Sequence, residues 1–360
     1  MIRTASLTAL LVLAALLSSA PLAQADYDPL GSGTTKLTID SSFLALLKQN
    51  GVKLSATAPA KLKGNTATFP VSAGKFDPTA AKGTIEHEGA LVFQAGAKKL
   101  PLKALQLKTT QRRSPFSVKA GGSQLKLATA KSLAVSREGF ASKVKVSTLT
   151  LSAKLATRLG KKLKLKGVFK EGQPLGKSQT KANPQTIALL GKNKAELVLD
   201  PGFSAKLNSL FVAVNPVFPA EHPGAFTLPL FGGTIAPDGS QGTVETSGSL
   251  EFLQLGGGQV FWGDAWLDLA AKTFGPEVNT QPSPPYGGKA GRLSVAGLGF
   301  GAPAVANAKA RTVSLSGGSL TLDAATAASF NEVFARPQGK DGVFVAGEVL
   351  GSISLVAQGQ

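Results

Sequence analysis

"GTIEHEGALVF", from Gly83 to Phe93, recurs further on as "GTVETSGSLEF", from Gly242 to Phe252. In both, a glycine opens the stretch and a second glycine follows six residues later. A β-branched residue stands third (Ile85, Val244), and Leu and Phe close it (Leu91 and Phe93, Leu250 and Phe252). Alternation at period two is the pattern of a strand with one buried face. Ile85, His87 and Gly89 share one face of such a strand, and Glu86 and Glu88 share the other. His87 is one of two histidines in the chain, and the second copy has Thr246 in its place. On that face His87 is either a ligand at the mouth of the sheet or a semi-buried side chain held by a hydrogen bond, replaceable by threonine.

The repeat extends outward from there. "KLTIDSSFLALL" from Lys36 matches "ELVLDPGFSAKL" from Glu196, and "LTLSAKLATRLG" from Leu149 matches "LTLDAATAASFN" from Leu320. Each copy then runs through a Val-Phe pair (Val168-Phe169, Val343-Phe344) and two glycines (Gly172 and Gly176, Gly347 and Gly351). The blocks keep their order while the offset drifts, so loops of different length join fixed elements. A chain of 360 residues with two such copies predicts two domains, residues 27–191 and 192–360, with the polar run Gly176 to Thr186 as a connection near the boundary.

Alternating segments such as "KVKVSTLTL" (Lys143 to Leu151) and "QLKLATA" (Gln124 to Ala130) predict half-buried strands. Helix signals are few. Asp40 and Asp200 open one short helix in each copy, and Ser152 and Asp323 open a second. The fold class expected is mainly β: two tandem β-sandwich domains, each with one or two short helices. The glycine cluster "GLGFGAP" (Gly297 to Pro303) reads as a tight turn.

The two copies differ in charge. Residues 27–190 hold 28 Lys and Arg against 7 Asp and Glu, a net of +21, whereas residues 191–360 hold 10 against 13, a net of −3. The basic surface expected of the first copy includes Lys143, Lys145, Lys161, Lys162, Lys164 and Lys166. Such a surface concentrates near a polyanion, and an anionic cell-wall polymer is the partner it suits. Nucleic acid is not expected, because aromatic residues do not interleave with the lysines and the chain opens with an export signal.

That signal spans residues 1–25: Arg3, an apolar core from Leu7 to Leu17, and the small-x-small site Ala23-Gln24-Ala25. It predicts a secreted or extracellular protein, cell-wall associated, that meets a membrane only through the signal before cleavage. No cysteine is present, which excludes disulfides and thiolate chemistry. Neither histidine stands in a recognisable nucleophile or zinc motif, and Glu86 and Glu88 are two apart on a strand, unlike an acid/base pair across a cleft. No catalytic residue, no metal site and no enzyme activity are predicted.

The order of blocks resembles the HtaA-type domain of exported actinobacterial haem-uptake proteins. "GTIEHEGAL" is similar to that family's strand motif, with His87, Gly89 and Leu91 at its marks, and "LTLSAKLATRLG" and "LTLDAATAASFN" are similar to its late helix. The resemblance implies a cell-surface binding domain with haem as its ligand, His87 as the axial candidate and nearby lysines pairing the propionates. It also implies a tyrosine on the opening helix. Here that stretch reads Ser42-Phe43-Leu44-Ala45-Leu46 in the first copy and Gly202-Phe203-Ser204-Ala205-Lys206 in the second, without one.

Overall fold

The computed structural model describes residues 27–109, 115–120, 123–130, 133–281 and 291–360. The expected export signal, residues 1–25, lies outside them. No described helix is long and apolar enough to cross a membrane.

The first half forms one antiparallel sheet. Its principal strands are β1 (Asp28–Ile39), β2 (Thr66–Asp77), β3 (Lys82–His87), β4 (Lys98–Thr109), β5 (Pro115–Ala120), β6 (Ser123–Ala130), β7 (Ala141–Leu151) and β8 (Pro174–Pro184). Each pairs with the next in sequence, and β8 pairs back with β1, so the eight strands close into a ring. Two shorter strands, Val52–Thr57 and Ala90–Ala95, extend from the first half of β4 as a flap.

The second half repeats this with β9 (Lys194–Leu199), β10 (Phe226–Ile235), β11 (Gly242–Thr246), β12 (Gln259–Asp268), β13 (Thr273–Gln281), β14 (Ala296–Gly299), β15 (Thr312–Leu322) and β16 (Val349–Gln358). Again each pairs with its successor, and β16 returns to β9. The flap is Val212–Val217 with Ser249–Gln254. The tandem, mainly β architecture is therefore as the repeat predicts. The two faces of each domain belong to one sheet closed on itself, which leaves the ring strands without open edges. Each half has its own apolar core.

All four expected helices form where their caps stand: α1 (Ser41–Gln49), α2 (Ala153–Leu163), α3 (Pro201–Ser209) and α4 (Ala324–Phe330). Asp40 accepts from the Ser42 amide at 2.8 Å, Asp200 from Gly202 at 2.8 Å, Ser152 from Leu155 at 3.2 Å and Asp323 from Thr326 at 2.7 Å. Each bond satisfies an amide that the first helical turn cannot. In α1, Phe43 and Leu47 are buried one turn apart, and Phe203 and Leu207 repeat this in α3. The Val-Phe signature explains itself here. Phe169 packs on Phe43 and Phe344 on Phe203, with ring centroids 6.3 and 5.6 Å apart, so the late loop is pinned to the opening helix in both copies.

Two readings of the sequence change. The run Gly176 to Thr186 is not a connection: most of it is β8, between β1 and β7. Its inward residues, Ser178, Thr180 and Ala182, are small or polar and so give no hydrophobic stripe, yet Thr180 and Ala182 are completely buried. The first sheet ends at Pro184 and the second begins at Ile187. The glycine cluster from Gly297 is likewise partly strand, since β14 pairs with β15 through Gly299.

The glycines that mark the repeat sit at close approaches. Gly89 and Gly248 have φ of +89° and +91°, and a Cβ on either would lie 2.5 Å from the backbone nitrogen of Ala60 or Ala220. Only glycine accepts both the left-handed backbone and the contact.

Candidate functional site

His87 ends β3 on the inward face, opposite Val71 of β2. Ile85 beside it is fully buried and His87 itself is 4% exposed. Its Nδ1 lies 2.9 Å from the carbonyl oxygen of Leu105. A carbonyl can only accept, so Nδ1 carries the proton and Nε2 is the acceptor. The Thr35 hydroxyl, 2.6 Å from Nε2, donates to it, and the Thr180 hydroxyl, 2.7 Å from Thr35 Oγ1, donates in turn. Thr35 and Thr180 face each other in the β1–β8 ladder, both completely buried. The Leu105 carbonyl is available because β4 carries a bulge between Lys103 and Gln106 opposite β5.

Burial pushes the His87 pKa down to about 4, with the Leu105 hydrogen bond opposing that shift. The ring is therefore neutral near pH 7, and both of its nitrogens are engaged inside the barrel. As it stands, the imidazole presents no free nitrogen to a ligand at the surface.

The second copy carries a shortened version of this arrangement. Thr246 donates to the Ala265 carbonyl at 2.9 Å, and that carbonyl is likewise released by a bulge, between Gly263 and Trp266 of β12. The positions of Thr35 and Thr180 hold Ala195 and Leu355, which face each other in the β9–β16 ladder and are buried. Where histidine becomes threonine, its hydroxyl partner Thr35 and the Thr180 that bonds Thr35 both become apolar. The three positions change as a set, because a buried hydroxyl without a partner is costly.

The six lysines expected on the basic surface lie in two places. Lys143 is paired with Glu138, which also meets Lys181 at 3.6 Å. Lys145 lies on β7 and lines a hollow of 360 Å³ with Lys36 of β1 and Lys177 of β8. Lys36 and Lys145 flank Gln179 from the two neighbouring strands. All three lysines are exposed, and no carboxylate lines the hollow. In the second copy Glu196, Ser352 and Ser354 hold the places of Lys36, Lys177 and Gln179. Lys161, Lys164 and Lys166 line another hollow, of 520 Å³, at the C-terminal end of α2, floored by Ala156 and Phe169. Lys162 is exposed on the same helix. Among the described residues, no three His, Asp or Glu side chains are grouped to hold a metal.

A further groove went unseen in the sequence. It lies along α3 in the second copy, has a volume of 280 Å³, and is lined by Ser204 and Asn208 of the helix and by Val198, Val214, Phe226 and His222. Val198 is 50% exposed, although it is an apolar strand residue. His222 is exposed at the groove and stacks on Phe226, with ring centroids 4.2 Å apart and planes 17° from parallel. The only local signal was the aromatic residue four places after the histidine. Of the two tyrosines, Tyr27 lies beneath Lys75 at the start of the first barrel, and Tyr286 is outside the described residues.

No protein-family model matches the chain, and no curated protein does. Among solved structures, it is similar to the C-terminal domain of HtaA from Corynebacterium glutamicum, at 11% identity, covering 43% of this chain and 98% of that one with a TM-score of 0.35. It is also similar to the N-terminal domain of the same protein, at 16% identity, covering 48% of this chain and 99% of that one with a TM-score of 0.34. These are the domains that the strand and helix motifs resemble. At such identities and scores the likeness identifies no ligand.

Proposed function

We propose that this chain is an exported, non-enzymatic binding protein of the cell envelope, built from two HtaA-type copies over residues 27–191 and 192–360. Its first copy holds it to an anionic wall polymer. The hollow between Lys36, Lys145 and Lys177 carries this reading: three exposed ammonium groups on adjacent strands line one concavity that no carboxylate enters. Lysines on sheets often serve to block edge-to-edge pairing. That account does not apply here, because β1, β7 and β8 are hydrogen-bonded on both sides. Their charge instead raises the local concentration of a polyanion at the barrel wall.

Retention on isolated cell walls at rising salt tests the proposal. Salt screens exposed charges, so binding is expected to fall steeply with ionic strength. Replacing Lys36, Lys145 and Lys177 together by Gln is expected to weaken binding about a hundredfold at low salt, at roughly 1 kcal/mol per lysine near an anionic surface. Retention indifferent to salt and to the triple change would sink it.

A second reading, with haem as ligand, is favoured by His222. Its imidazole is exposed beside a groove of mixed polar and apolar lining at the opening helix, the element where the resemblance implies haem binding. His87 is engaged inside its barrel and serves the fold in this reading. Hemin titration is expected to give a Soret shift that His222→Ala removes and His87→Thr leaves in place. A shift that ignores His222, or none at all, rejects it.

A further inference from the structure

We propose that the first barrel binds a short acidic peptide in the hollow at the C-terminal end of α2, at the place that the second barrel closes with the side chain of Asn331. The second copy shows what the place demands. Asn331 stands eight residues after the helix cap Asp323. Its Nδ2 donates to the Phe344 carbonyl oxygen at 2.7 Å, and its Oδ1 accepts from the Phe344 N–H at 2.9 Å. One planar carboxamide, giving one donor and one acceptor, thus ties the late Val-Phe loop to the end of α4.

In the first copy the residue eight places after the cap Ser152 is Gly160, which has no carboxamide to offer. The loop opposite is otherwise built alike. Lys170 N–H donates to Gln173 Oε1 at 3.0 Å, as Val345 N–H does to Glu348 Oε1 at 3.2 Å. Gly172 N–H reaches the Leu151 carbonyl at 2.9 Å, as Gly347 reaches Leu322 at 2.8 Å. Phe169 packs on Phe43 as Phe344 packs on Phe203. The Phe169 backbone therefore stands in the place of Phe344's, and its N–H and C=O make no hydrogen bond among the described residues. Gly160 and Phe169 both line the hollow of 520 Å³. Within 4 Å, a Cβ on Gly160 would meet only the Leu165 carbonyl, 3.1 Å from its oxygen, so the glycine opens onto space. A peptide group offers the same planar donor and acceptor as the carboxamide of Asn331.

The rim supplies charge. Lys161, Lys164 and Lys166 line the hollow and are exposed, and no carboxylate is among the lining residues. Counted from the caps, Glu332 and Ala335 hold the places of Lys161 and Lys164. The copy that lacks the carboxamide is thus the one that carries the ammonium groups, and a ligand suited to both features joins an amide to carboxylates. Ala156 and Phe169 floor the hollow, and its volume falls among those of small-ligand sites, about 300–1,000 Å³. The site is separate from the lysine hollow on β1, β7 and β8, and the inference does not depend on a wall polymer binding there.

Titration of the full chain with N-acetyl-alanyl-glutamate tests the proposal, followed by calorimetry and by the backbone N–H resonance of Phe169. Two controls divide the ligand. N-acetyl-alanyl-glutamine amide keeps the amides without the carboxylates, and glutarate keeps two carboxylates without an amide. The acidic peptide is expected to bind about tenfold tighter than either, the ratio that two neutral hydrogen bonds or three exposed ion pairs give, and to move the Phe169 resonance downfield. Gly160→Asn, which installs the second copy's carboxamide, is expected to weaken peptide binding about tenfold and leave thermal unfolding cooperative. Replacing Lys161, Lys164 and Lys166 together by Gln is expected to bring the acidic peptide down to the affinity of the neutral one. If Gly160→Asn unfolds, the lysine variant and the Phe169 resonance decide. The proposal is overturned if the acidic peptide does not bind at millimolar concentration, if it binds no tighter than glutarate or the neutral peptide, if the Phe169 resonance does not move, if the lysine variant binds the acidic peptide as wild type does, or if folded Gly160→Asn does so.

Discussion

Thr246 Oγ1 lies 2.9 Å from the carbonyl oxygen of Ala265, and this bond takes the place of the one between His87 and Leu105 in the first copy. The bulge that frees the carbonyl persists in both, so the backbone requirement is shared and the side chain that meets it varies. What differs is how far the polar chain extends: through Thr35 to Thr180 in the first barrel, and no further than Thr246 in the second.

This makes the three positions energetically coupled. His87→Ala leaves the Leu105 carbonyl without its partner, leaves the Thr35 hydroxyl only its bond to Thr180, and opens a cavity, and is expected to cost about 2–4 kcal/mol in denaturant unfolding. The triple change Thr35→Ala, His87→Thr, Thr180→Leu reproduces the second copy's set. It is expected to cost clearly less than the sum of its single changes, since residues in one hydrogen-bond network are not additive. Additive costs would show that the three side chains act separately.

The depressed pKa of His87 gives a pH signature. Its folded value is about 4 and its ordinary value 6.5, so between them the unfolded chain binds a proton that the folded chain does not. Stability rises with pH wherever the unfolded state binds more protons. The contribution is therefore fully present above about pH 6.5 and is lost as pH falls towards 4, to a total of roughly 3 kcal/mol at 1.36 kcal/mol per unit. The difference in unfolding free energy between wild type and His87→Thr isolates this group from the carboxylates. That difference is expected to change across this window and to be flat above it. A flat difference throughout would show that the ring is solvated.

The local code of this fold was legible: four capped helices, alternating strands, and the repeat itself. Partners far apart in sequence were not. Thr35 and Thr180 are 52 and 93 residues from His87, and nothing near either marks it as a partner. β8 escaped notice because a barrel interior lined by Ser178, Thr180 and Ala182 has no hydrophobic period. The lysines were visible as a charge excess, and only the ladder register separates Lys145, which lines the open hollow, from Lys143, which Glu138 neutralises.

Glu138 offers a test in the opposite direction from lysine removal. It pairs with Lys143 and stands 3.6 Å from Lys181, and those lysines hold its carboxyl below the usual range. Both lysines lie on the strands that carry Lys145 and Lys177. Glu138→Gln releases two positive charges towards the same face. Binding to an anionic polymer is expected to tighten, with a steeper salt dependence and little change in Tm, because exposed ion pairs add little to stability. Unchanged or weaker binding would place the polymer elsewhere on the molecule.

The glycine pair anchors the repeat at the level of the backbone. At Gly248 an added methyl meets the Ala220 nitrogen at 2.5 Å, and its φ of +91° lies where side chains are rarely accepted. Gly89 meets Ala60 in the same way at +89°. Neither position can relax by turning a side chain, because the obstruction is backbone. Alanine at either one is expected to destabilise its own barrel by about 2 kcal/mol or more, combining strain with a steric shift. Gly96 is the control: its φ is +52°, but nothing lies within 4 Å of an added Cβ. Gly96→Ala is expected to cost only about 1 kcal/mol, the penalty for the left-handed conformation alone. Thermal unfolding of the three variants side by side checks this. If all three lose the same stability, backbone conformation alone explains the glycines and the close approach contributes nothing.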